Sequence, residues 1–135
     1  MRIALIGYGK MGKAIEEIAL HRGHEIVIKI DQPNLHEFTK ENLAKADAAI
    51  EFTSPHSAKE NVQKLLESAV PVVCGSTGWT DQLDSMKQLC AEKGGAFAYS
   101  SNFSVGVNIF FEINKKLASL MAPHKEYEVI LEEIH

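Results

Sequence analysis

Gly7-Tyr8-Gly9-Lys10-Met11-Gly12 lies between an apolar run, Arg2–Ile6, and a segment whose apolar residues fall at 11, 14, 15, 18 and 19. The run reads as a strand buried on both faces, and the spacing is that of one helix face. A G-x-G-x-x-G turn between strand and helix constrains the fold more than any other feature of the chain. Its first glycine permits a tight turn, its second lets backbone approach a pyrophosphate, and its third lets the helix pack closely on the strand. The helix N-terminus then presents unsatisfied N–H groups and the positive end of its dipole. Lys10 and Lys13 add positive charge nearby. A glycine turn packed for steric reasons alone would look the same in isolation. The acid at the end of the second apolar run, Asp31, argues for a nucleotide, because a carboxylate there can accept hydrogen bonds from both ribose hydroxyls.

Short apolar runs and helical periodicity alternate through the first hundred residues. Gly23 ends the first helix, and Glu25–Ile30 (EIVIKI) reads as the second strand. Residues 35–46 form a weaker helical stretch, and residues 48–52 a third strand. Ser54 is placed to cap a following helix and Pro55 suits its first turn; Ala58, Val62, Leu65, Leu66 and Ala69 mark its inner side. Residues 71–74 and 96–99 complete the strands, with a helix carried by Leu83, Met86, Leu89 and Cys90 and stopped at Gly94-Gly95. The pattern predicts right-handed βαβ units and an α/β fold, a doubly wound parallel sheet of the Rossmann type, over residues 1–104. Beyond Asn102, Ile109, Phe110, Ile113, Leu117, Leu120 and Met121 line a long helix that Pro123 breaks. Residues 126–134 (EYEVILEEI) then read as a strand with partial burial on both faces. Residues 105–135 are thus expected to be the first helix and strand of a second, α+β domain that is truncated here.

Composition narrows the function classes. The formal net charge of -4 is spread without a basic stripe, which argues against a grip on nucleic-acid phosphates. No apolar run reaches bilayer length, and the N-terminus lacks the cleavage site of a signal peptide. Cys74 and Cys90 are too few for a disulfide framework and lack metal-ligand spacing, so reduced thiols, no metal and a cytoplasmic protein are expected.

In open parallel sheets, ligands bind beyond the carboxyl ends of the strands, and three such ends are chemically rich. Glu51-Phe52-Thr53-Ser54-Pro55 offers a ring and a hydroxyl after the third strand. Cys74-Gly75-Ser76-Thr77-Gly78-Trp79 follows the fourth, with glycines that admit a ligand to the backbone and hydroxyls at Ser76 and Thr77. Ser100-Ser101-Asn102-Phe103-Ser104-Val105-Gly106-Val107-Asn108 follows the last strand, either as a capping turn at a domain hinge or as a ligand contact. Asp31 repels a 2′-phosphate and is followed by Gln32 rather than an arginine, so NADH is expected over NADPH. Lys29, on the same strand face, keeps NADPH open.

Together these segments resemble 4-hydroxy-tetrahydrodipicolinate reductase (dihydrodipicolinate reductase), a family of bacterial lysine and diaminopimelate synthesis. The likeness runs the length of the chain through IGYGKMG, the acid after the second strand, EFTSP, CGSTGW, SSNFSVGVN and the terminal EEIH. The resemblance implies a cofactor held by Gly7, Tyr8, Gly9, Lys10, Met11, Gly12 and Asp31. Phe52, Thr53, Gly75, Ser76, Thr77, Ser100, Ser101, Asn102 and Phe103 would line the nicotinamide half. It implies hydride transfer to the ring of a cyclic dicarboxylate, and a homotetramer for a full-length member. His135 matches the first of the family's paired histidines and would act as acid/base for the accompanying proton, work suited to an imidazole. The second histidine, a lysine and a Ser-Gly-Thr loop of the family have no counterpart here, so this chain alone is expected to bind cofactor weakly without turnover. Two other readings remain: a non-catalytic NAD(H)-binding fragment or sensor, and a chain that self-associates through helix 105–121.

Overall fold

The computed structural model describes residues 1–132 and 134. The chain divides into two compact units, Met1–Ser101 and a second from Asn102 onward.

The first unit holds five strands: β1 (Arg2–Ile6), β2 (Glu25–Ile30), β3 (Ala48–Glu51), β4 (Val72–Cys74) and β5 (Phe97–Tyr99). They form one sheet in the order β2-β1-β3-β4-β5, and every neighbouring pair is parallel. The connecting helices are α1 (Lys10–His21), the short α2 (Lys40–Leu43), α3 (Pro55–Glu67) and α4 (Leu83–Lys93). The doubly wound parallel sheet expected from the alternation is therefore borne out. Its strands leave β1 toward β2 on one side and toward β3 on the other, so the strand order reverses between β1 and β3. A crevice opens at such a switch point, outside the carboxyl ends of the strands.

The larger core cluster contains Ala4, Ile6, Ile28, Ile30 and Ala49 from the sheet with Ala58, Val62, Leu65 and Leu66 from α3. A smaller cluster joins Ile3 and Leu5 to Ala19 of α1, with Ile15 packed against it. Alternate residues of β1 thus serve opposite layers, which is why its sequence is apolar throughout. Burying a leucine such as Leu65 contributes about 1.5–3 kcal/mol, and α3 supplies two that are essentially inaccessible. Arg2 binds Asp47 through its backbone N–H at 2.7 Å and its guanidinium at 2.7 Å, aligning the starts of β1 and β3.

Three local expectations are corrected. The stretch 35–46 is not one helix but a 3₁₀ turn, Gln32–Glu37, followed by α2; Pro33 and the cap at Asp31 start the turn early, and Thr39 starts a fresh helix by accepting a bond from Asn42 N–H. Ala69 does not extend α3. The helix stops at Glu67, and Ala69 sits exposed with φ +58°. Residues 126–132 are not a strand, and Tyr127, Val129, Ile130 and Leu131 are exposed. A strand needs a neighbour to satisfy its ladder, and among its described residues the second unit offers only α5 (Val105–Met121) and the turn after it. Among the described residues, no helix is long and apolar enough to cross a membrane.

The left-handed backbone at Ala69 is strained by its Cβ, at a cost of about 1–2 kcal/mol relative to glycine. Ala69→Gly is therefore expected to raise the melting temperature by about 2–4 °C; a lowered value would show that the unfolded-state entropy of glycine outweighs the relieved strain.

Candidate functional site

The parallel register brings the predicted strand ends to one level. Ile6 is paired with Ile30 on one side and Glu51 on the other, Glu51 with Cys74, and Cys74 with Tyr99. The next residue of each strand continues the ladder: Gly7 N–H donates to Ile30 O at 2.8 Å, Phe52 N–H to Ile6 O at 2.8 Å, Gly75 N–H to Glu51 O at 2.9 Å, and Ser100 N–H to Cys74 O at 3.3 Å. Asp31, Gly7, Phe52, Gly75 and Ser100 consequently stand along one edge of the sheet.

At the switch point a cleft of about 360 Å³ is lined by Gly7, Tyr8, Gly9, Asp31, Phe52 and Thr53, among others. The glycine loop has no spare room. Gly7 adopts φ +93°, and a Cβ there would lie 1.9 Å from Phe52 O. A Cβ on Gly12 would lie 2.3 Å from Gly7 O, so helix and loop touch backbone to backbone. Gly9, by contrast, has nothing within 4 Å of an added Cβ; it is the exposed N-cap of α1, and no side chain caps that terminus. The first-turn N–H groups, which a helix cannot satisfy itself, are left for a ligand or water. Lys10 and Met11 are exposed beside them. A pyrophosphate fits this arrangement of uncapped helix terminus and close glycine backbone.

Asp31 is half-buried and serves the fold as well. One carboxylate oxygen accepts from Gln32 N–H at 2.9 Å, while the Asn34 side chain accepts from Asp31 N–H at 2.8 Å. The Asp31 side chain also accepts from the Asn34 backbone N–H, which completes a capping box. The capping signal was present in the sequence as Asp31-Gln32-Pro33-Asn34, with an amide three residues after the acid.

Beneath the cleft is a buried polar cluster that sequence reasoning named only as part of a motif. Glu51 is fully buried. Its carboxyl accepts from the Cys74 thiol at 2.9 Å, from Asn61 Nδ2 at 3.4 Å and from the Thr53 hydroxyl. Burial, and then the hydrogen bond to Glu51, push the Cys74 thiol far above its ordinary range, so it stays protonated and donates. Both cysteines are free thiols. Asn61 also reaches Thr53 Oγ1 at 3.1 Å.

Ser76 is buried, and its hydroxyl oxygen accepts from Thr53 N–H at 2.7 Å, tying the loop after β4 to the loop after β3. Trp79 pins the same loop: its indole N–H donates to Ser76 O at 2.8 Å, and its ring meets Tyr99 edge-on at 5.8 Å. Gly75 lacks a side chain because a Cβ there would lie 2.1 Å from the Phe52 ring. Thr77 and Ser101 are exposed. Ser54 occupies the N-cap of α3 without capping it; its hydroxyl pairs with Ser57 Oγ at 2.9 Å.

Asn102 and Phe103 open the second unit. Asn102 Oδ1 accepts from Ser104 N–H at 2.8 Å, and Asn108 Nδ2 donates to Asn102 O at 2.9 Å. Ser104 caps α5 by accepting from Val107 N–H. His135 lies outside the described residues.

Removing the buried acceptor should be costly. Glu51→Ala leaves a cavity and three donors without their partner, and is expected to destabilise the protein by about 2–4 kcal/mol in chemical denaturation. Glu51→Gln keeps the volume and one acceptor and should cost less. Equal, near-zero effects would mean that the cluster does not support the fold.

A family model for the N-terminus of dihydrodipicolinate reductase matches residues 1–103. The chain is 45% identical to the 4-hydroxy-tetrahydrodipicolinate reductase of Christiangramia forsetii, over all of this chain and 56% of that one. Its fold is similar to a dipicolinate-bound dihydrodipicolinate reductase from Paenisporosarcina sp. TG-14, with TM-score 0.68 and 26% identity over 90% of this chain and 53% of the other. An NAD-binding protein from Listeria innocua shares the fold alone, with TM-score 0.59 and 22% identity over 75% of this chain and 35% of the other. The chain spans about half the length of these two reductases. On the match over residues 1–103, it belongs to the dihydrodipicolinate reductase family.

Proposed function

We propose that this chain is the cofactor-holding half of an NAD(P)H-dependent reductase. The full reaction would reduce the dehydrated 4-hydroxy-tetrahydrodipicolinate ring to tetrahydrodipicolinate in lysine and diaminopimelate biosynthesis. The observation that carries the reading is the glycine cradle: backbone packed too closely for a Cβ at Gly7 and Gly12, beside a helix terminus that no side chain caps.

In this reading the N–H groups at the start of α1 hold the pyrophosphate, with Tyr8, Gly9, Lys10 and Met11 around it. Asp31 receives the adenosine ribose hydroxyls on its carboxylate, which also caps the turn that follows. Phe52, Thr53, Gly75, Ser76 and Thr77 flank the nicotinamide half, and Ser100 to Phe103 carry the chain onward from that edge. When bound, the nicotinamide supplies the hydride. The chain's own contribution is orientation, held by the Glu51 cluster and the Thr53–Ser76 bond, because small displacements of a reacting group are costly in rate. His135 is assigned the accompanying proton from its place in EEIH. The substrate class is a cyclic dicarboxylate, supported by the dipicolinate held in the Paenisporosarcina reductase. A full-length protein of this kind would act in the cytoplasm as a homotetramer.

NADH is the favoured cofactor, since a 2′-phosphate would meet the Asp31 carboxylate. Calorimetric titration should show saturable binding of NADH, tighter than NADPH. Asp31→Ala removes a charge-assisted hydrogen bond and should weaken NADH about tenfold while narrowing its advantage over NADPH. Absence of saturable binding at millimolar cofactor would overturn the reading.

A further inference from the structure

Tyr8, Glu16 and Lys29 form a cluster at the edge of the cofactor cleft, which Tyr8 itself lines. Tyr8 belongs to the glycine loop, Glu16 to α1 and Lys29 to β2. Lys29 Nζ lies 3.2 Å from Glu16 Oε1 and 4.8 Å from the centre of the Tyr8 ring. The Tyr8 hydroxyl donates to the other oxygen of Glu16. The ammonium is thus held between a carboxylate and an aromatic face, an arrangement that offsets its charge.

Its location gives the cluster a role. Lys29 lies on β2 and Asp31, two residues on, continues it in extended backbone, so the two point to one side and line one groove. Tyr8 and Asp31 line both the cofactor cleft and a neighbouring groove of about 740 Å³ along β2, in which Lys29 and Glu37 also stand. Unpaired, Lys29 would be a cation beside the position where the two nicotinamide dinucleotides differ. We propose that Glu16, aided by Tyr8, is a specificity-determining residue: by holding Lys29 in an ion pair it denies a 2′-phosphate at Asp31 its countercharge, and so favours NADH. The inference rests on the proposed cofactor reading and adds to it the residue that sets cofactor choice.

The groups are charged as this requires. The Tyr8 hydrogen bond holds Glu16 below the usual carboxylate range, and the bond to Glu16 raises Lys29 above its ordinary value. Glu37, in the same groove, adds negative rather than positive charge. It is itself engaged by Asn34 Nδ2 at 3.0 Å.

The test compares the ratio of NADPH to NADH dissociation constants in calorimetry across the wild-type protein and four variants. In Glu16→Gln, Lys29 is released and the ratio should fall about fivefold, mainly through tighter NADPH, as expected for one charge acting on a phosphate across about 8 Å of well-screened surface. Tyr8→Phe, which keeps the ring but loses the donor to Glu16, should move the ratio the same way by less. Lys29→Met should leave it at or above the wild-type value, and Glu16→Gln combined with Lys29→Met should cancel the gain. A merely structural role for Glu16 would weaken both cofactors together and leave the ratio unmoved. NADH binding with a ratio constant within twofold in Glu16→Gln overturns this inference alone; failure of the wild-type protein to bind NADH overturns it together with the cofactor reading.

Discussion

The site depends on one row of backbone pairing, the line Ile30–Ile6–Glu51–Cys74–Tyr99 that crosses all five strands. Parallel strands bring their carboxyl ends to the same edge, and this row sets the level at which they end. One step beyond it, Asp31, Gly7, Phe52, Gly75 and Ser100 leave the sheet together. A slip of one residue in β1 or β3 would send every side chain to the other face. It would also separate Gly7 from Phe52, whose carbonyl leaves no room for a Cβ. The register is protected by what it buries, since Ile6 and Leu5 feed opposite core layers.

The second constraint is chemical. Glu51 places a carboxyl in the middle of the sheet, where an unpartnered polar group would be expensive. Three donors meet it, from β4, from α3 and from the loop after β3. A satisfied buried network of this kind rigidifies its surroundings. Here those surroundings are the Thr53 and Ser76 loops, joined directly by a hydrogen bond. Packing, polar satisfaction and the shape of the cleft are one arrangement seen at three levels.

The fold class was legible because the alternation of apolar runs with helical spacing needs no partner to be recognised. The glycine loop was legible because its three positions have separate steric reasons, two of which appear as backbone contacts at Gly7 and Gly12. Glu51 was not read as a buried residue, since a glutamate beside Phe52 looks like a solvated strand end until its donors converge from distant segments. Ser76 looked like a ligand hydroxyl, and its tie to Thr53 N–H is a contact across 23 positions that local pattern cannot show. Asp31 carried two signals at once, and the ribose reading hid the cap. Residues 126–132 have strand composition, but composition cannot supply the neighbour a strand requires. Lys29 and Asp31 were read together and do line one groove, while the counterion that engages Lys29 came from a helix thirteen positions earlier.

The most direct measurement is amide hydrogen exchange on the chain with and without saturating NADH. Cofactor seated at the switch point should slow exchange at residues 9–12, where the start of α1 leaves its N–H groups uncapped, and at the loops 52–54 and 75–77, with β2 changing little before Asp31. Protection confined to α5, or saturable binding with no change in the glycine loop, would contradict a dinucleotide held by this edge of the sheet.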